Sequence, residues 1–189
     1  MKKRNVKMLS RRKQKGSYVL LGLVLAVIIG GILTAAMVNS YNQQTASTER
    51  DNLRQELLRF FATMKENKRA WGTYEGTTNQ SVWLSNKLIS DMYKSPTANQ
   101  FTTPYTDDGL DFAPVSSATD RSGKSYTSAN NYIQVTLKDV PIEQCTDTVD
   151  DYIDVVTQVT VGTTRVHSVP TRDSACASGT KVNIVLTNL

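Results

Sequence analysis

Cys145 and Cys176 are the only cysteines of the chain, and the pairing of their thiols is the first chemistry that the sequence offers. In an oxidising compartment, a single pair of cysteines is expected to form a disulfide. The bond would close a loop of 32 residues, and the chain-entropy model gives such a loop roughly 3–4 kcal/mol of stabilisation. The alternative is two free thiols. A metal site is disfavoured because no other cysteine or histidine stands at ligand spacing.

The other candidates for catalysis are few. His167 is the only histidine and follows Val166 in a predicted strand, so a surface position is expected. Without a second histidine, the usual general-base arrangements are scarce. No phosphate-binding glycine loop and no G-x-S-x-G motif occurs. The chain is therefore predicted to be no enzyme and to hold no cofactor or metal.

Four acids cluster in DTVDDYID, residues 147–154. Their spacing differs from that of an EF-hand loop. We expect a solvated acidic face there, with weak cation binding as the alternative.

The basic charge of the chain is concentrated at its N-terminus. Residues 1–16 contain eight basic residues and no acid, whereas the rest contains 14 basic and 17 acidic residues. No basic patch is left to favour nucleic acid as a partner. A Lys/Arg cluster in front of an apolar span is typical of the cytoplasmic side of a membrane.

The apolar span, 17–38, has 22 residues without a charge. At about 1.5 Å per residue it reaches roughly 30 Å, the thickness of a bilayer core. It is longer than the apolar region of an ordinary signal peptide. Cleavage at the small residues Thr34-Ala35-Ala36 remains the alternative. The rest of the chain is then expected outside the cytoplasm.

A second helical segment follows without an intervening proline. Its apolar residues recur at helical spacing and form one stripe, which we expect to be buried: Leu53, Leu57, Phe60, Phe61, Met64 and Trp71. The opposite face is charged. Gly72 is a suitable residue for ending the helix.

Residues 73–131 are rich in Thr, Ser, Asn, Asp and Pro, and turns are indicated at TDDG (106–109) and RSGK (121–124). Within this region a short helix is predicted over 81–92, because Val82, Leu84, Leu88, Ile89 and Met92 stand at roughly helical spacing. The remainder is predicted as loop.

The last third alternates apolar and polar residues and predicts strands. The three segments are NYIQVTLKDV (131–140), a hairpin within 152–169 that turns at residues 162–164, and KVNIVLTNL (181–189). Three or four antiparallel strands would offer one apolar face to the stripe of the helix. The predicted fold class is α+β, with a small antiparallel sheet packed on the second half of a long N-terminal helix. In this arrangement the disulfide would hold down the final strand.

Taken together, the basic leader that ends in Gly16, the uncharged helix, its amphipathic continuation, the loop-rich middle and the sheet with two cysteines resemble a type IV pilin. The leader length, Ser17 and the cysteine spacing are most similar to the type IVb class. The resemblance is most specific near residues 15–40. It gives five segments: leader (1–16), transmembrane or filament-core helix (17–38), amphipathic continuation (39–72), loop-rich αβ region (73–131), and sheet with disulfide (132–189).

The resemblance implies that a prepilin peptidase cuts between Gly16 and Ser17 and that the new N-terminus of Ser17 is methylated. It implies other pilin subunits, the peptidase and an inner-membrane assembly platform as partners. The implied location is the bacterial inner membrane, with one span and a cytoplasmic N-terminus, followed by a periplasmic or extracellular filament.

The chain departs from the family at Leu21. Pilins usually have Glu at this fifth position after the cut, where it is thought to neutralise the N-terminal amine of a neighbouring subunit. Leu21 favours a minor pilin or pseudopilin, at the tip of a filament or initiating it. The alternatives are a major type IVb pilin and a single-pass membrane protein with an extracytoplasmic binding or sensing domain; a periplasmic enzyme is a more distant one. The sequence does not choose among adhesion, conjugation, DNA uptake and secretion.

Overall fold

The computed structural model of the protein describes Val24, Val27, Ile28 and residues 47–189. The chain divides into two compact units, Met1–Ser47 and Thr48–Leu189. Among the described residues, none of the helices combines the length and the apolar character that crossing a bilayer requires. The predicted span, 17–38, lies outside the described residues except for the two valines and the isoleucine.

The second unit is an α+β domain, which confirms the predicted fold class. Its elements in chain order are α1 (residues 48–71 of this unit), α2 (Asn79–Leu84), a 3-10 turn (Asp91–Tyr93), β1 (Leu110–Thr119), β2 (Ser125–Pro141), α3 (Ile142–Tyr152), β3 (Gln158–Val161), β4 (Thr164–Val166), α4 (Val169–Ala175) and β5 (Lys181–Asn188).

Helix α1 buries the apolar stripe along most of its length. Five of the six predicted stripe residues are at most 5% exposed: Leu53, Leu57, Phe60, Phe61 and Met64. The helix ends at residue 71, and Gly72 has a φ of +82°. Its N–H donates to the carbonyl of Lys68 at 2.7 Å, so the glycine supplies the left-handed residue that closes the helix.

Trp71 is 83% exposed, and its predicted place in the core is wrong. After Gly72 the chain turns, and Tyr74, at 2% exposure, lies in the core instead. The N–H of Tyr74 donates to the carbonyl of Asn130 at 2.8 Å, which fixes that turn against strand β2. Helical spacing gives the face on which a residue lies, but it does not show where along the helix the covering layer ends.

The sheet has five antiparallel strands in the order β1-β2-β5-β3-β4. One row of buried side chains crosses all five strands in register: Phe112, Val135, Leu186, Val159 and Val166. The Phe112 ring lies 4.7 Å from the ring of Phe60 on α1, measured between centroids. The predicted hairpin and C-terminal strand are confirmed, and the predicted strand at 131–140 is the second half of β2.

The region predicted as loop contains more structure than expected. Strand β1 and residues 125–131 of β2 lie within 73–131. The helix predicted over 81–92 ends at Leu84, since Ser85 has an extended backbone. The chain then bends, and it buries Leu88 and Ile89 but leaves Leu84 and Met92 at 67% and 70% exposure. The prediction of one helix over 81–92 is therefore wrong beyond Leu84, apart from the 3-10 turn that begins at Asp91.

The distal part of the β1–β2 hairpin, residues 116–127, is called the hairpin arm below. A register shift between Val115 and Ser117 separates it from the rest of the sheet. The Thr119 N–H donates to Gln158 Oε1 on β3 at 2.6 Å, and Arg165 Nη1 on β4 donates to the Asp120 carbonyl at 2.6 Å. The arm therefore reaches from one edge of the sheet to strands near the other edge.

Candidate assembly surface

The predicted site residues are divided between the two parts of the chain. Gly16, Ser17 and Leu21 lie outside the described residues, so cleavage, methylation and the assembly position stay predictions. Cys145 and Cys176 lie in the described domain and form a disulfide. The helix that carries Cys145, α3, also forms ion pairs with α1 and α4.

The disulfide connects two helices. Cys145 lies in α3 and is fully buried, and Cys176 is the C-cap of α4 and is 6% exposed. Their Cα atoms are 5.6 Å apart, within the usual range for a disulfide. We predicted that the bond would hold the final strand, but it fixes α4 against α3, and β5 begins only at Lys181.

Two arginines of α1 pair with two aspartates of α3. Arg50 Nη1 donates to Asp147 Oδ2 at 3.0 Å, and Arg50 Nε lies 3.4 Å from Asp151 Oδ2. Arg54 Nε donates to the Asp151 carbonyl at 3.2 Å and lies 3.7 Å from its carboxylate. The two hydrogen bonds each span 97 residues of sequence, and together with the ion pairs they fix the orientation of α3 on the long helix.

Arg50 and Asp151 of this cluster both have raised pKa values, but for different reasons. Burial lowers the pKa of Arg50, but the hydrogen bond to Asp147 and the nearby carboxylates outweigh it, and the pKa is raised overall. Burial raises the pKa of Asp151, and the attraction of Arg50 and Arg54 does not compensate. Asp151 Oδ2 is buried and has no hydrogen bond. The direct hydrogen bond between Arg50 and Asp147 is therefore the stronger connection.

The remaining acids of the 147–154 cluster are paired as well. Asp150 accepts from Arg172 on α4, and Asp154 accepts from Arg121 in the hairpin arm. Arg121 also donates to the Ile153 carbonyl at 2.6 Å. Three of the four acids are more than half exposed, so the face is solvated as predicted, and its acids also connect segment 147–154 to α1, α4 and the hairpin arm. The basic partners are distant in sequence, so local spacing gave no signal for them.

Both edges of the sheet are closed to an added strand. On the β1 edge, the Phe112 N–H donates to Asn79 Oδ1 at 2.7 Å, and Asn79 Nδ2 donates to Asp111 Oδ1 at 2.7 Å. Pro114 on the same strand has no N–H to offer. At the other edge β4 has three residues, and α4 follows it closely. Contacts with a partner are therefore expected through side chains.

Two grooves lie beside opposite ends of α1 in the domain. The first, called the Met92 groove, has a volume of about 200 Å³ and is lined by Glu49, Asn52, Met92, Tyr93, Thr102, Thr103 and Pro104. The second, called the Trp71 groove, has a volume of about 310 Å³ and includes Met64, Asn67, Trp71, Tyr74 and Leu88 among its lining residues. Each groove has a strongly exposed large apolar side chain, Met92 or Trp71.

The described residues offer little to catalysis. His167 is exposed, and its Nδ1 lies 3.4 Å from the carbonyl of Arg165. In that part of the chain, no group of three or more His, Cys, Asp or Glu side chains is arranged to hold a metal ion. The surface features of the domain are grooves and ion pairs.

One protein-family model, described as "Proteasome activator complex subunit 4-like, HEAT repeat-like", matches residues 1–105. HEAT repeats stack pairs of helices in units of about 40–47 residues. In the described part of 1–105 the chain forms α1, the six-residue α2 and a 3-10 turn. Beside α1, the helical elements described there are only six and three residues long, and Phe112 of the sheet packs against Phe60 of α1. The match therefore does not describe this fold.

No curated protein matches the sequence. Among solved structures, the chain is similar to the crystal structure of TcpA, a type IV pilin from Vibrio cholerae El Tor biotype. The TM-score is 0.52 and the sequence identity 14%, over 75% of this chain and 99% of that chain. Similarity at this identity concerns the fold alone. The described domain of this chain accordingly has a pilin-like α+β fold with a Cys145–Cys176 disulfide.

Proposed function

We propose that the protein is a structural, non-enzymatic subunit of a bacterial type IV pilus or related filament. In this proposal a prepilin peptidase cuts after Gly16, Ser17 becomes the methylated N-terminus, and the N-terminal helix enters the filament core. The observation that supports it most is the pilin-like domain, in which the apolar stripe of α1 is covered by one antiparallel sheet. The sequence adds an uncharged apolar segment upstream of that helix.

The physical basis of assembly is the apolar segment 17–38. A helix without charges can leave lipid for a bundle of similar helices at little cost, because both surroundings are apolar. The closed edges of the sheet agree with this route, since strand addition would need free backbone groups at an edge. The domain is then carried on the surface of the filament.

The proposed partners follow from this movement of the helix from the membrane into the filament. Before assembly the chain is held in the inner membrane with its basic leader in the cytoplasm, where it meets the peptidase and the assembly platform. After assembly its partners are other pilin subunits, in a periplasmic or extracellular filament.

Leu21 favours a minor subunit. A buried N-terminal amine needs a carboxylate or water nearby, and leucine supplies neither. A subunit at the tip, or one that initiates assembly, has no neighbour on one side and can leave the amine near water. We therefore propose a tip or initiating role.

The test is the presence of the chain in filaments sheared from cells. We expect the wild-type chain in that fraction and expect Gly16→Val, which blocks the cut, to remove it; Gln14→Val alters the leader away from the cut and is the control. Absence of the wild-type chain from every filament fraction would contradict the proposal and favour a fixed membrane anchor.

The same fraction distinguishes a minor from a major subunit. Quantitative mass spectrometry should find the chain at a small share of the total pilin. A share close to the whole would replace the minor role with that of a major pilin and leave the filament assignment in place.

A further inference from the structure

Trp71 and Asn67 line the Trp71 groove from the same face of α1. They are four residues apart, so their side chains are neighbours on the helix, and both are exposed. At 83% exposure, Trp71 presents a flat apolar ring to solvent. Such a ring can cover one apolar face of a ligand in the groove, which removes apolar surface of both from water.

Two hydroxyl side chains in the lining of this groove have no hydrogen-bond partner in the described part of the chain. Thr77 is 8% exposed, and its side chain forms no hydrogen bond to the residues that the structure describes. Tyr74 is 2% exposed, and its hydroxyl is buried without a hydrogen bond to a described residue. Buried polar side chains are normally hydrogen-bonded. Because Thr77 lines the groove, a ligand hydroxyl bound there can supply its missing partner.

The other polar side chains of the lining add hydrogen-bonding groups without positive charge. Glu75 and Asn67 are exposed and contribute a carboxylate and an amide. Among the described lining residues there is no lysine, arginine or histidine. A phosphate or carboxylate ligand would meet the Glu75 carboxylate with no basic side chain to offset the repulsion. The groove is therefore suited to a ligand without negative charge.

The aromatic rings of the lining disfavour a cationic ligand as well. An aromatic cage for an ammonium group uses the faces of several rings. Lys68 Nζ already lies over the ring of Tyr74, 5.2 Å from its centroid, and donates to the Asn131 carbonyl at 2.9 Å. This leaves Trp71 as the exposed ring among the described lining residues. One exposed ring beside hydroxyl, amide and carboxylate groups matches a sugar, because a pyranose has a face of C–H groups and a rim of hydroxyls.

We propose that the Trp71 groove binds a neutral saccharide, with the ring of Trp71 stacked on the C–H face of one pyranose. The hydroxyls of that pyranose form hydrogen bonds with Thr77 and Asn67, and Glu75 accepts a further hydrogen bond from them. The groove volume of about 310 Å³ stands at the low end of the range for ligand pockets, roughly 300–1,000 Å³, and suits one or two sugar rings. This binding site goes beyond the proposed filament role and does not depend on assembly.

The test is saturation-transfer NMR on the full chain in a detergent without a sugar headgroup, such as a dimethylamine oxide. The probes are the methyl β-glycosides of glucose and galactose and the methyl α-glycoside of mannose. We expect saturation of the ring C–H protons of at least one probe. Trp71→Ala should weaken that binding about 10-fold or more, as expected when a stacking ring is removed. Leu84→Ala, which removes an exposed apolar side chain outside the groove, is the control and should leave binding unchanged.

Thr77→Val tests the contribution of the buried hydroxyl. Valine has a similar shape, and the hydroxyl that it replaces has no partner among the described residues, so we expect no loss of stability. Binding of the glycoside should weaken about 2–10-fold, as expected for the loss of one hydrogen bond. A variant that is less stable but binds the glycoside as the wild type does would show a structural role for Thr77 and contradict the proposed contact.

Tetramethylammonium is the rival probe, because an exposed ring beside a carboxylate can also attract a cation. Binding of tetramethylammonium without binding of any of the three glycosides would overturn the proposal, and so would glycoside binding that Trp71→Ala leaves unchanged. Cellotetraose distinguishes the source of the saccharide: tighter binding than the methyl β-glucoside supports a glycan chain, and equal binding supports a free sugar. All of these measurements use the unassembled chain, so their failure leaves the filament proposal intact.

Discussion

At the scale of single residues, the domain depends on aromatic side chains that α1 and the sheet share. Phe60 is fully buried, and its ring centroid lies 4.7 Å from that of Phe112 and 5.7 Å from that of Phe61. We expect Phe60→Ala to lower the free energy of unfolding by about 3–5 kcal/mol. Trp71→Ala should change it by no more than about 0.5 kcal/mol, because the side chain is exposed. Urea unfolding of the full chain in detergent measures both, and equal losses would contradict the assignment of Trp71 to the surface.

Asp151 gives a prediction about pH. Burial raises its pKa despite Arg50 and Arg54. The folded protein therefore keeps a proton on this carboxyl at pH values where the unfolded chain has lost it. The contribution of Asp151 to stability is full below the ordinary carboxyl pKa of about 3.9 and is lost as the pH rises through the raised pKa.

Asn does not titrate, so we expect the Asp151→Asn variant to lack this pH-dependent loss of stability. Its free energy of unfolding should fall less between pH 4 and pH 7 than that of the wild type. Asp107→Asn removes the same charge from an exposed position and is the control. An unchanged slope in Asp151→Asn would show that the pairing with the arginines outweighs burial.

Among the secondary-structure elements, α3 and α4 are joined by the disulfide, whose two cysteines are 31 residues apart in sequence. We expect the double variant Cys145→Ser and Cys176→Ser to lose roughly 3–4 kcal/mol of unfolding free energy, from the entropy of the opened loop. The wild type treated with a reductant under unfolding conditions should lose a similar amount. A variant as stable as the wild type would mean that the ion pairs of α3 hold α3 and α4 together without the disulfide.

Asn79 forms two hydrogen bonds with the edge strand β1, and its replacement tests what these bonds contribute to stability. Asn79→Ala removes the acceptor of the Phe112 N–H and the donor to Asp111. We expect a loss of about 1–3 kcal/mol, because a buried donor loses its partner. Gln80→Ala, an exposed neighbour in α2, should change stability by less than about 0.5 kcal/mol. A larger effect at Gln80 would locate the stability in α2 itself and not in its contact with the edge.

The sequence predicts some elements and misses others for physical reasons. The strands of the last third alternate clearly, and α1 has a long periodic stripe, so both are found by period alone. Strand β1, LDFAPVSSAT, carries Asp, Pro and three hydroxyl residues, and its strand character comes from pairing with β2. Helix α3, rich in Thr and Asp, is stabilised by arginines far away in sequence, and no local pattern contains that information.

Considered as a whole, the described domain is held together by ion pairs between its elements and exposes apolar side chains to possible partners. Its ion pairs connect α1, α3, α4 and the hairpin arm, and its exposed apolar side chains stand beside grooves at the two ends of α1. The sequence predicts the fold class and the disulfide, whereas the predicted cleavage and assembly positions lie outside the described residues and stay predictions. The grooves depend on the bend after Ser85 and on the turn at Gly72, which composition does not specify.

The proposed filament role depends on maturation of this chain by a prepilin peptidase. The most direct measurement is the N-terminal sequence and intact mass of the protein recovered from bacterial membranes, with and without a functional peptidase. We expect a chain that begins at Ser17 and carries one N-methyl group, and we expect neither feature when the peptidase is absent. A chain that still begins at Met1 in both strains would contradict the proposed maturation and indicate a fixed membrane anchor.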